Sequence, residues 1–187
     1  MSLERFLGTI TEALADAGIP AMLTGSLAAV VRGAPRATMD VDLVIDPTSE
    51  ALAQFAERVR RAGLYVSLDA AREALATRTM FNVIDPASGW KADFIVRKRR
   101  PFSESEFTRR EPGELLGIPI DVARVEDLVI AKLEWAALGG SARQLEDVRA
   151  LLRMAGTDVD AAYLARWIAS LGLESTWSTV ATAEERP

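Results

Sequence analysis

The sequence predicts an α+β fold built in α/β layers: a twisted mixed β-sheet flanked by helices, followed by a C-terminal helical cap. Three observations carry this expectation. Residues 21–122 switch between short strand-like runs and longer runs with helical spacing. From residue 125 onward only the helical spacing is left. Glycines stand where one pattern gives way to the next, as at Gly18, Gly33, Gly63, Gly139-Gly140 and Gly156. The expected division is an α/β core over residues 1–122 and a helical region over 123–187 packed on it.

The elements follow in order. Residues 3–17 place Leu3, Phe6, Leu7, Ile10, Leu14 and Ala17 at helical spacing, and Gly18 sits where that helix would stop. Ala21-Met22-Leu23-Thr24 reads as a strand, and Gly25-Ser26 turns it into a helix over Leu27–Arg32 that Gly33 and Pro35 end. Residues 38–45 alternate and predict a strand closed by Asp46-Pro47. Leu52, Phe55, Ala56 and Val59 share one face of a helix over 49–62, stopped by Gly63. A strand at 64–68 and a short helix at 69–76 come next. Residues 78–84 and 90–96 are expected as two strands joined by the hairpin loop Asp85-Pro86-Ala87-Ser88-Gly89. Residues 97–117, with Pro101, Pro112 and Gly113, read as irregular, and a strand at 119–122 as the end of the sheet. Helices are expected at 125–138, 143–154, 158–170 and 173–182.

Composition narrows the chemistry before any motif does. At 187 residues and 49% hydrophobic content the chain can bury a real core. It has no cysteine, which excludes disulfides and thiolate zinc sites. It has no histidine, which removes the usual general base, the commonest metal ligand and every Ser-His or Cys-His nucleophile pair. Carboxylates, lysine, arginine, hydroxyls and hard cations remain. A net charge of −5 argues against an evenly basic surface that coats nucleic acid. No basic-then-apolar N-terminal signal appears, and no apolar run nears the ~20 residues that span a bilayer. A cytoplasmic protein without a membrane partner is expected.

Asp40 and Asp42 stand at i and i+2 of the predicted 38–45 strand, so both carboxylates leave one face, roughly 7 Å apart at Cβ. Such a pair raises its own pKa values, and hard divalent cations remove that cost. Magnesium takes oxygen ligands, often one or two carboxylates plus phosphate oxygens. Two such ions ~3.5–4 Å apart stabilise both the attacking and leaving oxygens of an in-line phosphoryl displacement. Asp93 is the candidate third carboxylate, because a charge in the apolar strand Lys91–Val96 needs a reason. Lys91, Asp93 and Ile95 face one way there, and Trp90, Ala92, Phe94 and Val96 the other. Beside 38–45, this strand would bring all three aspartates to one face. The alternative for Asp93 is an edge carboxylate paired with Lys91 or an arginine. Gly25-Ser26 offers close backbone approach, a helix N-terminus and a hydroxyl to an anionic phosphate. Arg36, four residues before Asp40, offers a bidentate phosphate partner.

Together Gly25-Ser26, Gly33, Arg36, Thr38, Asp40 and Asp42 resemble the signature of the DNA polymerase β-like nucleotidyltransferase superfamily. Within it they resemble the minimal nucleotidyltransferases and the toxin-type abortive-infection branch, the AbiEii/AbiGii-like proteins. The resemblance covers residues 20–45 and reaches Asp93 as the third superfamily carboxylate. Val125-Glu126-Asp127-Leu128 with Lys132, then Arg143 and Asp147, is similar to the helical part of the toxin-type branch. The resemblance implies the polymerase β-like fold and two Mg2+ ions on Asp40, Asp42 and Asp93, with Asp93 also the base. It implies a nucleoside triphosphate donor (NTP: ATP, CTP, GTP or UTP) held by Gly25, Ser26, Arg36 and Lys132. It leaves the acceptor open among RNA ends, protein side chains and small hydroxylated molecules such as aminoglycosides. The toxin-type branch adds a cognate antitoxin as a partner.

Other features have two readings each. Lys132 falls on the apolar stripe Val125, Leu128, Val129, Lys132, Leu133, Ala136, either snorkelling past the core edge or reaching phosphate. Asp147 serves it or Arg143 as a partner, or acts directly. Arg97-Lys98-Arg99-Arg100 is a guide for an anionic acceptor such as RNA, or a solvated charged loop. The tryptophans at 90, 135, 167 and 177 read as packing more than as a base-stacking platform. A non-catalytic nucleotide-binding interaction protein and an antibiotic-modifying nucleotidyltransferase stand as alternatives to the toxin-type enzyme. The acidic balance suits a cationic aminoglycoside, and the basic run suits RNA.

Overall fold

The computed structural model of the protein describes residues 1–33 and 40–181, so Arg36 and Thr38 lie outside the described residues. Two compact units divide the chain, one carrying the sheet up to Ala123 and one made of residues 28–33 with the helices from Arg124 onward. The sheet unit has strands β1 (Ala21–Thr24), β2 (Asp40–Ile45), β3 (Tyr65–Val66), β4 (Met80–Ile84), β5 (Lys91–Val96), β6 (Glu111–Leu115) and β7 (Ile118–Val122). Among the described residues they form one sheet in the order β3-β4-β5-β2-β1-β7-β6. The β2/β5 and β1/β7 pairs are parallel and the rest antiparallel.

Alternation along these strands decides which face becomes core. Val41, Leu43 and Ile45 of β2 and Ala92, Phe94 and Val96 of β5 are fully buried. Register lines up Leu23, Leu43, Phe94 and Phe81 across four strands. Phe94 stacks on Phe81 with ring centroids 5.1 Å apart and meets Phe55 at 5.0 Å. Phe55 comes from α3 (Ser49–Arg61), which lies against α1 (Leu3–Asp16) and α4 (Leu68–Thr77). Each of these helices starts on a hydroxyl cap: Ser2, Thr48 and Ser67 accept from the backbone N–H groups of Arg5, Ala51 and Ala70. The β4–β5 loop forms as the sequence predicts, with the Asp85 carboxylate accepting from the Ala87 N–H and the Ser88 hydroxyl.

The stretch read as irregular holds two elements. Helix α5 (Pro101–Thr108) starts on Pro101, whose fixed φ suits a first helical turn. It escapes a periodicity reading because its buried positions mix Phe102 and Phe107 with Ser103 and Glu106. Strand β6 carries Pro112 and Gly113, yet it pairs with β7 alone at the sheet edge, where a missing N–H is tolerated. The strand expected at 64–68 shrinks to Tyr65–Val66, and Leu68 already opens α4. Strand β7 lies inside the sheet with β6 beyond it.

Helix α2 (Gly25–Val31) follows β1 directly. The helical unit contains α6 (Val125–Gly139), α7 (Ala142–Ala155), α8 (Ala161–Ser170) and α9 (Glu174–Ala181). Helix α6 packs on α7 and α8, burying Leu128, Val129, Ile130 and Leu133. Trp167 is buried as expected, but Trp135 is 59% exposed. Among the described residues no helix is long and apolar enough to cross a membrane.

Phe94 joins the sheet to α3, so Phe94→Ala should cost about 3–5 kcal/mol of unfolding free energy. Urea unfolding followed by circular dichroism measures it, and a loss under 1 kcal/mol would contradict this packing.

Candidate active site

The face opposite the aromatic row carries polar groups in the same register. Thr24 pairs with Asp42 across β1/β2, Asp42 with Asp93 across β2/β5, and Asn82 with Asp93 across β4/β5. Neighbouring strands lie about 4.8 Å apart, so each side chain in this row stands beside the next. One step along, Asp40 pairs with Lys91. The structure thus brings Asp40, Asp42 and Asp93 to one face, which the sequence made conditional on this strand pairing.

Gly25 closes the site from the end of β1. Its φ is +65°, and a Cβ there would stand 2.6 Å from the Asp42 Cγ. Only glycine lets the Asp42 carboxylate rest against this turn. The buried Ser26 donates its backbone N–H to Asp42, so this donor serves a carboxylate rather than lying free for phosphate.

Electrostatics follow from that crowding. Burial first, then the charges of Asp93 and Asp40, push the Asp42 carboxyl up to about 6; the Ser26 N–H and Lys91 oppose the rise. Asp93, 8% exposed, is gripped on both oxygens. The Asn82 amide donates to Oδ1, and the Lys91 ammonium lies 3.0 Å from Oδ2. Lys91 also stands 3.4 Å from Oδ1 of the exposed Asp40. Its ammonium is held above the ordinary lysine value, first by the hydrogen bond to Asp93. The Lys91–Asp93 pair matches one of the two sequence readings of Asp93, whereas the sequence does not point to Asn82. Its only signal is a polar residue between Phe81 and Val83, whose neighbour depends on the hairpin register.

Three hard oxygen donors on one face suit magnesium, and the raised Asp42 pKa is a cost that a divalent cation would relieve. As the side chains stand, no three carboxylates among the described residues converge well enough to hold a metal ion. The Lys91 ammonium bridges two of them instead.

The remaining candidates divide. Lys132 belongs to the helical unit, 4% exposed, with its ammonium 2.7 Å from Asp147 and 3.3 Å from the Gln144 amide oxygen. A phosphate role for Lys132 would require that pair to open. In the basic run, Arg97 donates twice to Asp46, at 3.0 and 2.7 Å, and Arg100 bonds Ser103 over the Phe102 ring. Lys98 and Arg99 are exposed.

No family model matches the sequence, and no curated protein does. Solved structures match it in fold. ANT(2'')-Ia in complex with adenylyl-2''-tobramycin superposes with a TM-score of 0.62 at 16% identity, covering 95% of this chain and 99% of that one. An antigenic nucleotidyltransferase-like protein from Paracoccidioides brasiliensis gives 0.57 at 16% identity, with 92% and 91% covered. The lincosamide antibiotic adenylyltransferase LnuA, lincomycin-bound, gives 0.52 at 10% identity, with 82% and 98% covered. The chain has the polymerase β-like nucleotidyltransferase fold, and at these identities the likeness speaks for the fold alone.

Two outcomes follow from the Asp42 environment. Its folded pKa of about 6 lies above the ordinary 3.8, so the native state keeps a proton that the unfolded state has lost between those values. Metal-free stability should therefore fall as pH rises from about 4 to about 6, and Asp42→Asn should flatten that part of the curve. Urea unfolding in chelator across that range measures it; an unchanged slope in the variant would place the titration elsewhere. Gly25→Ala should cost at least about 1 kcal/mol in the same assay through its left-handed φ and the blocked carboxylate.

Proposed function

We propose that this chain is a metal-dependent nucleotidyltransferase that moves a nucleoside monophosphate from a nucleoside triphosphate to an acceptor hydroxyl. One observation carries the reading: Asp42 and Asp93 sit in register on adjacent parallel strands, with Asp40 on the same face. Asp40, Asp42 and Asp93 would hold two magnesium ions, which when bound offset the negative charge of the triphosphate. The acceptor oxygen forms a bond to the α-phosphorus while the bond to the β-phosphate's bridging oxygen breaks and pyrophosphate leaves. Asp93 takes the acceptor proton, held in place by Asn82. The Ser26 hydroxyl and Arg36 would hold the triphosphate, while Gly25 leaves room for Asp42 beside the turn. Lys132 stays with Asp147 in this reading. Catalysis is then positioning plus electrostatics.

For the acceptor, the engagement of Arg97 and Arg100 inside the protein weakens the case for an RNA guide. A net charge of −5 favours a small cationic hydroxylated molecule of the aminoglycoside class. ATP is the first donor to test, since two proteins of the same fold carry an adenylylated product or an adenylyltransferase name. The toxin-type role and a cognate antitoxin rest on the sequence resemblance alone. A purely nucleotide-binding role has against it an intact set of three carboxylates.

Titration calorimetry with each nucleoside triphosphate, with and without magnesium, tests the site, and transfer of α-labelled phosphate to an acceptor panel tests the chemistry. Asp40→Asn and Asp42→Asn should each keep the fold and lose transfer by more than about 100-fold, beyond what changes around a metal's ligands produce. Substantial turnover in both variants would sink the assignment.

A further inference from the structure

We infer that Lys91 is a tethered cation standing in the place of a divalent metal ion between Asp40 and Asp93, and that it must leave for the ion to bind. This rests on the metal-dependent reading above and names a control within that site.

Geometry supplies the argument. Lys91 is two residues before Asp93 on β5 and is the cross-strand partner of Asp40 on β2, so strand alternation and parallel register aim all three at one face. Its ammonium reaches Asp93 Oδ2 at 3.0 Å and Asp40 Oδ1 at 3.4 Å. A magnesium ion on either oxygen would sit at about 2.0–2.1 Å from it. An ammonium bonded to both oxygens fills the gap between the two carboxylates that a shared ion would occupy. The two cations therefore exclude each other by volume and repel by charge.

Two features make the exchange workable. Lysine carries a compact charge on a flexible four-carbon stem, so it can swing away without disturbing the backbone. Its side chain is 35% exposed, which leaves the ammonium a path to solvent. Asn82 meanwhile holds Asp93 through the other oxygen, Oδ1, and carries no charge. The carboxylate thus keeps its orientation when Lys91 departs. Without a metal the lysine offsets the repulsion among the aspartates, and with a metal it is no longer needed there.

The test reads binding of Mn2+ alone, without nucleotide, by calorimetry and by electron paramagnetic resonance of the free ion. Wild type, Lys91→Met, Lys91→Arg and Asp42→Asn are compared, with Lys98→Met as an exposed cation that touches no member of the site. Lys91→Met should bind Mn2+ about tenfold tighter than wild type. Lys91→Arg and Lys98→Met should not, and Asp42→Asn should bind weakly. Where Lys91→Met does not fold, Lys91→Gln removes the charge and keeps a donor for Asp93. Unchanged or weaker Mn2+ binding in the folded charge-removal variant, with wild type still binding, would overturn the inference and leave the functional reading standing. Absence of Mn2+ binding in both wild type and Lys91→Met would overturn the metal-site reading itself.

Discussion

Parallel pairing of β2 with β5 sets Leu43 against Phe94 on one face and Asp42 against Asp93 on the other. Both halves of the protein's character hang on that register. A slip of one residue would turn Phe94 toward the polar face and Asp93 into the core, which the buried aromatic row forbids. The hydrophobic face therefore enforces the geometry of the acidic one. Side chains 51 positions apart in the sequence meet because their neighbours are apolar.

Carboxylates so gathered oppose folding unless something answers their charge. Different groups share that task. The Ser26 N–H supports Asp42, Asn82 fixes one oxygen of Asp93, and Lys91 bridges Asp93 and Asp40. Gly25 contributes by having no side chain, since its bare Cα is what lets Asp42 approach the turn. Even so, Asp42 remains perturbed upward, first by its burial and then by its acidic neighbours.

The helical unit manages buried charge differently, through pairs that close within it. Lys132 meets Asp147, Glu126 accepts the Asp160 backbone N–H, and the Tyr163 hydroxyl donates to Asp127. Each bond ties α6 to α7, or to α8 and its cap. Removing one partner of such a pair strands the other in a low dielectric, so the loss would cost more than the contact itself contributes.

Periodicity, caps and breakers are local, and so nearly every helix and strand was legible from the residues themselves. The alternation in 38–45 and 90–96 likewise told which way Asp40, Asp42 and Asp93 point along their own strands. Helix α5 and strand β6 were not legible, because a mixed buried face and an edge position excuse the very residues that look like breakers. Nor was Asn82, since its closeness to Asp93 depends on hairpin register. Which strand lies beside which, and hence that the three carboxylates share a face with Lys91 bridging two of them, was decided only by tertiary structure. The physical reason is that strand order and register are set by long-range packing of the apolar face, and no local pattern encodes them.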